Sequence, residues 1–264
     1  MDKVDVSIII PAYWANEDLI KMTQRCLESI LINGELDVEL ILVNDGSPLN
    51  ATLEGAIQVN LPENQGYAAA VNVGLDAANG DYLVISNNDI VFIQPDWLEQ
   101  LLKPLKEGAG ISTIRTTEPD GWQTEDKYEE NAKFGSLWAM TRATYDTLGG
   151  LDERFGKGYG EDLDYWHRAR NAGIRIVKNH NGLAEHLGKA TFKITDPDDT
   201  SFNEFLFAYH DKWPTEHKIF LFGGNQVIGF NKWELEDMSY DDKKTYTQQE
   251  ITIEELRKLW QPSQ

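Results

Sequence analysis

Three acidic groups in this chain stand where a carboxylate is costly unless something uses it. Asp89 closes the triplet Asn87-Asn88-Asp89, which separates two apolar runs, Tyr82 to Ile85 and Ile90 to Ile93. A strand buried on both faces reads as a near-continuous hydrophobic run, and ligands of open parallel sheets sit outside the carboxyl ends of such strands, so Asp89 is expected at the mouth of a crevice. One acid there can hold Mg²⁺ or Mn²⁺ when phosphate oxygens and water complete the coordination. The same triplet also suits a turn whose Asn and Asp side chains cap backbone groups, and the neighbours must decide between the two. Asp45 ends another apolar run, in Asn44-Asp45-Gly46-Ser47-Pro48. Glu161, Asp162 and Asp164 crowd together after Gly158-Tyr159-Gly160. A single acid at a helix start is an ordinary partner of the helix dipole; this concentration asks for a further use.

These groups need elements to position them. Val4 to Ile10 reads as a buried strand stopped by Pro11, and Asn16-Glu17-Asp18 opens a helix carrying Leu19, Met22, Cys26, Leu27 and Ile30 on one side. Val38 to Val43 is the next strand; strand, helix, strand implies a parallel crossover, which brings Tyr13 and Asp45 to the same sheet edge. A short helix over 51–56 and a strand over 57–59 follow. The loop at Glu63-Asn64-Gln65-Gly66 then feeds a helix of small residues, which can approach either its sheet or a ligand closely. Asp81 to Ile85 is the strand that delivers the Asn-Asn-Asp triplet. Beyond it the pattern predicts a helix over 96–105, a strand over 109–114, an exposed loop over 116–131, a strand over 134–140 and helices over 141–148 and 161–172. Two short strands, 174–177 and 182–186, complete the series. The character changes near Asp196: an aromatic helix over 202–213, a strand over 219–222, an acidic stretch over 234–255 that reads as solvated surface, and a terminal helix over 251–260. The expectation is an α/β domain over 1–195, with a mostly parallel central sheet flanked by helices, and a smaller helical or mixed extension over 196–264.

Composition narrows the function. With 44 acidic against 24 basic residues, a formal charge of −20, the chain repels a phosphate backbone, and no Lys/Arg run offsets this, which argues against nucleic-acid binding. An anionic ligand needs a local positive charge, most simply a metal ion. Cys26 is the single cysteine, so no internal disulfide forms, and its place in a helical pattern suits inert packing. No stretch has the length of a membrane span, which makes a soluble, cytoplasmic protein the default expectation.

In order, Val6-Ser7-Ile8-Ile9-Ile10-Pro11-Ala12-Tyr13, Val43-Asn44-Asp45-Gly46-Ser47, Asn64-Gln65-Gly66-Tyr67-Ala68-Ala69-Ala70-Val71-Asn72, Asn87-Asn88-Asp89, Gly149-Gly150-Leu151-Asp152-Glu153-Arg154-Phe155 and Gly160-Glu161-Asp162-Leu163-Asp164 resemble the motif series of glycosyltransferase family 2. The likeness covers residues 4 to 190. It implies a GT-A, Rossmann-like fold and a metal-dependent, inverting transfer of one sugar from a nucleoside-diphosphate sugar (UDP-, GDP- or dTDP-linked) to an acceptor hydroxyl on a glycan, a lipid-linked saccharide or another molecule. By that resemblance Pro11, Tyr13 and Asp45 line the base pocket, and Gly66, Tyr67 and Asn72 border the nucleotide and phosphates. Asn87, Asn88 and Asp89 occupy the DXD position, with Asn87 replacing its first acid. Asp89 and His186 would hold Mn²⁺ or Mg²⁺, and Asp162, with Glu161 next, would be the general base. Asp164 is expected to support the helix turn. Gly135, Ser136 and Trp138 would border the acceptor site; Trp138 or Trp166 would stack on a sugar or simply pack. The loop Tyr13-Trp14-Ala15-Asn16-Glu17 is one residue longer than the family spacing, and the Gln-x-x-Arg-Trp signature of processive synthases is absent. Two alternatives stay open: a non-catalytic module that binds a nucleotide-sugar or glycan on this scaffold, and a nucleotidyltransferase, against which the missing basic glycine-rich loop speaks.

Overall fold

A computed structural model describes residues 5–32, 37–117, 128–156, 158–188, 200–222 and 226–259. Residues 1–200 form one compact unit and residues 201–264 a second.

The first unit is built on a sheet whose strands run in the spatial order β3-β2-β1-β4-β8-β6-β9-β5, with β7 also paired to β9. The strands are β1 (Val6–Ala12), β2 (Val38–Asn44), β3 (Ile57–Asn60), β4 (Tyr82–Ser86), β5 (Ile90–Val91), β6 (Ile111–Thr117), β7 (Tyr128–Glu130), β8 (Leu137–Thr141) and β9 (Ile176–His186). Among the described residues β3, β2, β1, β4, β6 and β9 share one direction, while β8, β7 and β5 oppose it. Helices α1 (Glu17–Ile32), α2 (Tyr67–Ala77), α3 (Trp97–Lys106), α4 (Arg142–Leu148) and α5 (Glu161–Asn171) complete the layers. The core follows from the apolar runs: Ile8, Ile9, Ile10, Leu42, Leu83, Val84 and Ile85 are all fully buried. Such burial on both faces is what a central parallel strand requires.

Several boundaries differ from the sequence expectation. β1 does not stop before Pro11 but continues to Ala12 along β2, because its ladder with β4 ends at Ile9 and the missing proline N–H therefore falls past the last pair on that side. No helix forms over 51–56. There the Gln58 side chain accepts from Leu53 N and donates to Ala51 O, which holds the segment as a turn. The two short strands expected over 174–186 are one irregular strand, β9, whose register on β6 shifts between Ile114 and Arg115. The stretch read as an exposed loop over 116–131 is strand at both ends, in β6 and β7, and its residues 118–127 lie outside the described residues. Helix α2 packs closely against its own sheet: a Cβ on Gly74 would stand 2.3 Å from Ile9 Cγ2.

The second unit pairs helix α6 (Thr200–Lys212) with a three-stranded antiparallel sheet, Gln226–Asn231, His217–Phe222 and Gln249–Ile251. The acidic stretch stays largely at the surface, as its charge predicts: neither of its two short helices has a buried residue. It holds two short helices, Lys232–Asp237 and Tyr240–Tyr246, and the former starts with a capping box between Asn231 and Glu234. No helix among the described residues is long and apolar enough to cross a membrane.

Candidate active site

The site gathers at the carboxyl ends of β1, β2 and β4, where parallel strands release their chain into turns. At β2, buried Asp45 accepts hydrogen bonds from Gln65 N (2.7 Å) and Gly66 N (3.0 Å), one on each carboxylate oxygen. Burial raises its pKa, and these two N–H donors oppose the rise. Asp45 therefore fixes the loop that starts α2. Gly46 makes this packing feasible: its φ is +59°, and a Cβ would overlap Glu63 C at 2.0 Å. Pro11 is buried and Tyr13 half-buried on the neighbouring strand end.

The three residues of the Asn-Asn-Asp turn point to different tasks. Asn87 takes a hydrogen bond on its side-chain oxygen from the Tyr67 hydroxyl (2.9 Å), and its own N–H donates to Ser136 O (2.8 Å). Asn88 is buried and spends its amide on Thr23 Oγ1 (2.9 Å) in α1, where Trp14 Nε1 also donates (3.0 Å). It is thus committed to the α1 layer and leaves the set of ligand-binding candidates. Asp89 points back toward β9. Its carbonyl accepts from Leu187 N, the following Ile90 pairs with His186, and Asp89 Oδ1 lies 3.1 Å from His186 Nε2. Both atoms are buried and stand at ion-pair distance from each other, and neither has a further hydrogen-bond partner among the described residues. Behind the turn, Cys26 Sγ donates to Asn87 O at 3.8 Å, and burial together with the Asp89 charge pushes its thiol up to about 12.

A carboxylate oxygen and an imidazole nitrogen that face each other with no further partner among the described residues are ligand types that suit a divalent cation. Among the described residues no group of three or more His, Cys, Asp or Glu gathers around a metal position. A cation here would thus draw its remaining ligands from a bound molecule and water.

The opposite wall is the start of α5. Gly158, Tyr159 and Gly160 all have positive φ, +146°, +70° and +89°. For Tyr159 that conformation is strained, and such strain collects at functional sites. Glu161 follows, buried, with Oε2 unpartnered. Burial, and then the neighbouring Asp162 charge, push its carboxyl up to about 8. Asp162 is half-buried; burial raises its pKa too, against the Leu163 N–H bond to its Oδ1. A Cβ on Gly135 would stand 2.9 Å from Asp162 Oδ2, so the β8 approach borders this carboxylate. Asp164 is fully buried and bonded to Arg168 Nε at 2.8 Å, the helix support expected of it. Tyr67 joins the two walls: burial, and then the charges of Glu161, Asp162 and Asp89, raise its phenol.

Three further expectations meet a different environment. Asn72 does not face a nucleotide with a free amide; it donates to Leu151 O and Glu153 Oε1 and accepts from Leu151 N, clamping the Gly149-Gly150-Leu151 turn onto α2. Trp138 and Trp166 are 1% and 2% exposed. Trp138 packs between Phe134 and Tyr165, and Trp166 donates its indole N–H to Asn131 O, so neither ring has a face open to a sugar. Sequence reasoning missed the Tyr67–Asn87 bond, because its two residues do not lie at a spacing that marks it.

The model of "Glycosyl transferase family 2" matches residues 7–158, more than half of the chain. The chain belongs to glycosyltransferase family 2. The match stops just before Glu161 and well before His186. An uncharacterized glycosyltransferase of Haemophilus influenzae is 39% identical over 106 residues, 37% of this chain and 40% of that protein. The undecaprenyl-phosphate 4-deoxy-4-formamido-L-arabinose transferase of Proteus mirabilis is 31% identical over 155 residues, 54% of this chain and 45% of that protein. The matched segments thus span less than half of these curated relatives. A solved family-like fold, the mannosyltransferase PcManGT of Pyrobaculum calidifontis in complex with GDP-Man and Mn²⁺, superposes with a TM-score of 0.56 at 18% identity, covering 78% of this chain and 64% of that one. The fold is GT-A.

Proposed function

We propose that this family 2 chain moves a single sugar from a nucleoside-diphosphate sugar to an acceptor hydroxyl, with a divalent cation bound and with inversion at the anomeric carbon. The observation that carries this reading is the facing pair Asp89 Oδ1 and His186 Nε2, 3.1 Å apart, buried and with no further hydrogen-bond partner among the described residues. A cation held there would stabilise the charge that builds on a departing diphosphate. The similarity to a transferase solved with GDP-Man and Mn²⁺ supports the same ligand classes. Asp45, Pro11 and Tyr13 are assigned to the base, Gly66 and Tyr67 to the nucleotide and phosphates. Asn87, its oxygen already held by Tyr67, would offer its NH₂ group to the donor. Across the cleft Asp162 would take the proton of the incoming hydroxyl as it attacks, while Glu161, with its raised pKa, keeps its own proton at neutral pH. A single displacement inverts the centre, so an α-linked donor would give a β product. We assign this chemistry to residues 1–195 and treat 196–264 as an appended module.

The test is a thermal-shift panel of UDP-, GDP- and dTDP-sugars with and without Mn²⁺. The expected outcome is a nucleotide-sugar stabilisation that Mn²⁺ strengthens at least tenfold in affinity and that D89A and H186A each abolish. Equal binding with and without Mn²⁺ in all three proteins would overturn the cation assignment and favour a non-catalytic binding module.

A further inference from the structure

Arg115 is the charged group that the transfer chemistry leaves unused. Its Nε and Nη2 are shut off from solvent, and neither has an acceptor among the described residues. Arg115 as a whole is half-buried, but two guanidinium N–H groups closed off from solvent without acceptors are unfavourable, and in a chain of net charge −20 acids were plentiful to pair with them. The two bare atoms are also informative as a pair. Nε and Nη2 form one edge of the guanidinium fork, the edge that gives a carboxylate or phosphate two parallel N–H···O bonds.

Its position relates it to the cleft. On β6, Thr113 pairs with Trp138 of β8, and Arg115 pairs with Leu183 of β9. The β6–β8 pairing ends with Thr113 opposite Trp138; Arg115 lies two residues past the one and Ser136 two residues before the other, and the Ser136 carbonyl accepts the Asn87 N–H from the end of β4. Asn87 follows β4, Ser136 precedes β8 and Arg115 lies near the end of β6, so the three stand at the ends of neighbouring strands. Ser112 turns to α3, where its hydroxyl bonds Leu101 O, so strand alternation sends Arg115 to the other face, with Trp138 and the α5 residue Tyr165. Gly135, next to Ser136, is the residue whose Cβ would press on Asp162.

We propose that Arg115 binds an oxyanion, a phosphate or carboxylate group carried by a reactant, which supplies the two acceptors that the folded chain withholds. The source is either the donor diphosphate or an acid group on the acceptor. The inference rests on the cleft being the transfer site proposed above.

The full-length wild type, R115M and R115K would be titrated with UDP, GDP and inorganic phosphate, the last both alone and onto nucleotide-saturated protein, with ligand-free thermal unfolding measured alongside. The expected result is at least a tenfold loss of oxyanion affinity in R115M, a partial loss in R115K and a ligand-free Tm for R115M no lower than wild type. A loss confined to UDP and GDP identifies the donor diphosphate; a loss confined to phosphate on the nucleotide-saturated protein identifies the acceptor side. Wild-type affinities in R115M, a lowered Tm with binding retained, or no phosphate or nucleotide binding by the wild type would each overturn the inference. Failure of nucleotide binding alone, with Arg115-dependent phosphate binding intact, would instead count against the transfer reading.

Discussion

Glu161 and Asp162 are adjacent in the chain but hold protons differently. Glu161 is buried with an unpartnered oxygen and titrates at about 8 in place of its usual 4.5. The folded protein then keeps this proton while the unfolded chain releases it, so the group lowers stability as pH rises from about 4.5 to about 8 and is neutral below that window. E161Q should therefore flatten the decline in unfolding free energy across that range, a gain of a few kcal/mol at pH 8 in denaturant titrations; an unchanged slope would show that the carboxylate is better solvated than its surroundings indicate. Asp162 faces the cleft beside Gly135, so D162N should keep nucleotide affinity within a factor of about two while lowering kcat by about 10²–10⁴. Full turnover in D162N would remove Asp162 from the chemistry.

At the level of elements, the cleft walls are held together by side chains bonded within the fold. Asn72 ties α2 to the Gly149-Gly150-Leu151 turn, and Arg168 of α5 donates to Leu148 O and Gly150 O, so α2, the turn and α5 are fixed as a set. N72A removes three hydrogen bonds and should cost about 1–3 kcal/mol in stability, read from chemical unfolding, with nucleotide affinity retained. A loss of nucleotide affinity at unchanged stability would return Asn72 to the ligand. This division of labour also explains what the sequence made legible. Apolar runs ending in Asp45 and in the Asn-Asn-Asp triplet mark strands and their functional ends, because burial on both faces leaves a continuous hydrophobic signature. The pairing of Asp89 with His186 was legible only through motif order, since it depends on a crossover and on the antiparallel β5–β9 pair. Asn72 and Asn88 were assigned to ligands by their place in the motif series, and Trp138 and Trp166 as aromatics that would stack on a sugar or simply pack. Their partners, Leu151, Thr23, Tyr165 and Asn131, are distant in sequence or spaced without a pattern, and long-range packing of that kind leaves no periodic trace.

Across the whole molecule, the sequence separates a stretch with strong strand punctuation from a tail whose short helices and hairpin carry weak signals; the compact units divide after residue 200. The chain holds a single thiol, and it lies fully buried behind the Asn87 turn with its proton held to about pH 12. Alkylation requires the exposed thiolate, so iodoacetamide at neutral pH should leave the native protein unmodified for hours and label it fully in denaturant. Rapid labelling of the native protein would show that this layer opens freely. Cys26 is therefore a built-in clock for excursions of the donor-side turn away from α1, and a bound cation and nucleotide should slow it without any engineered probe.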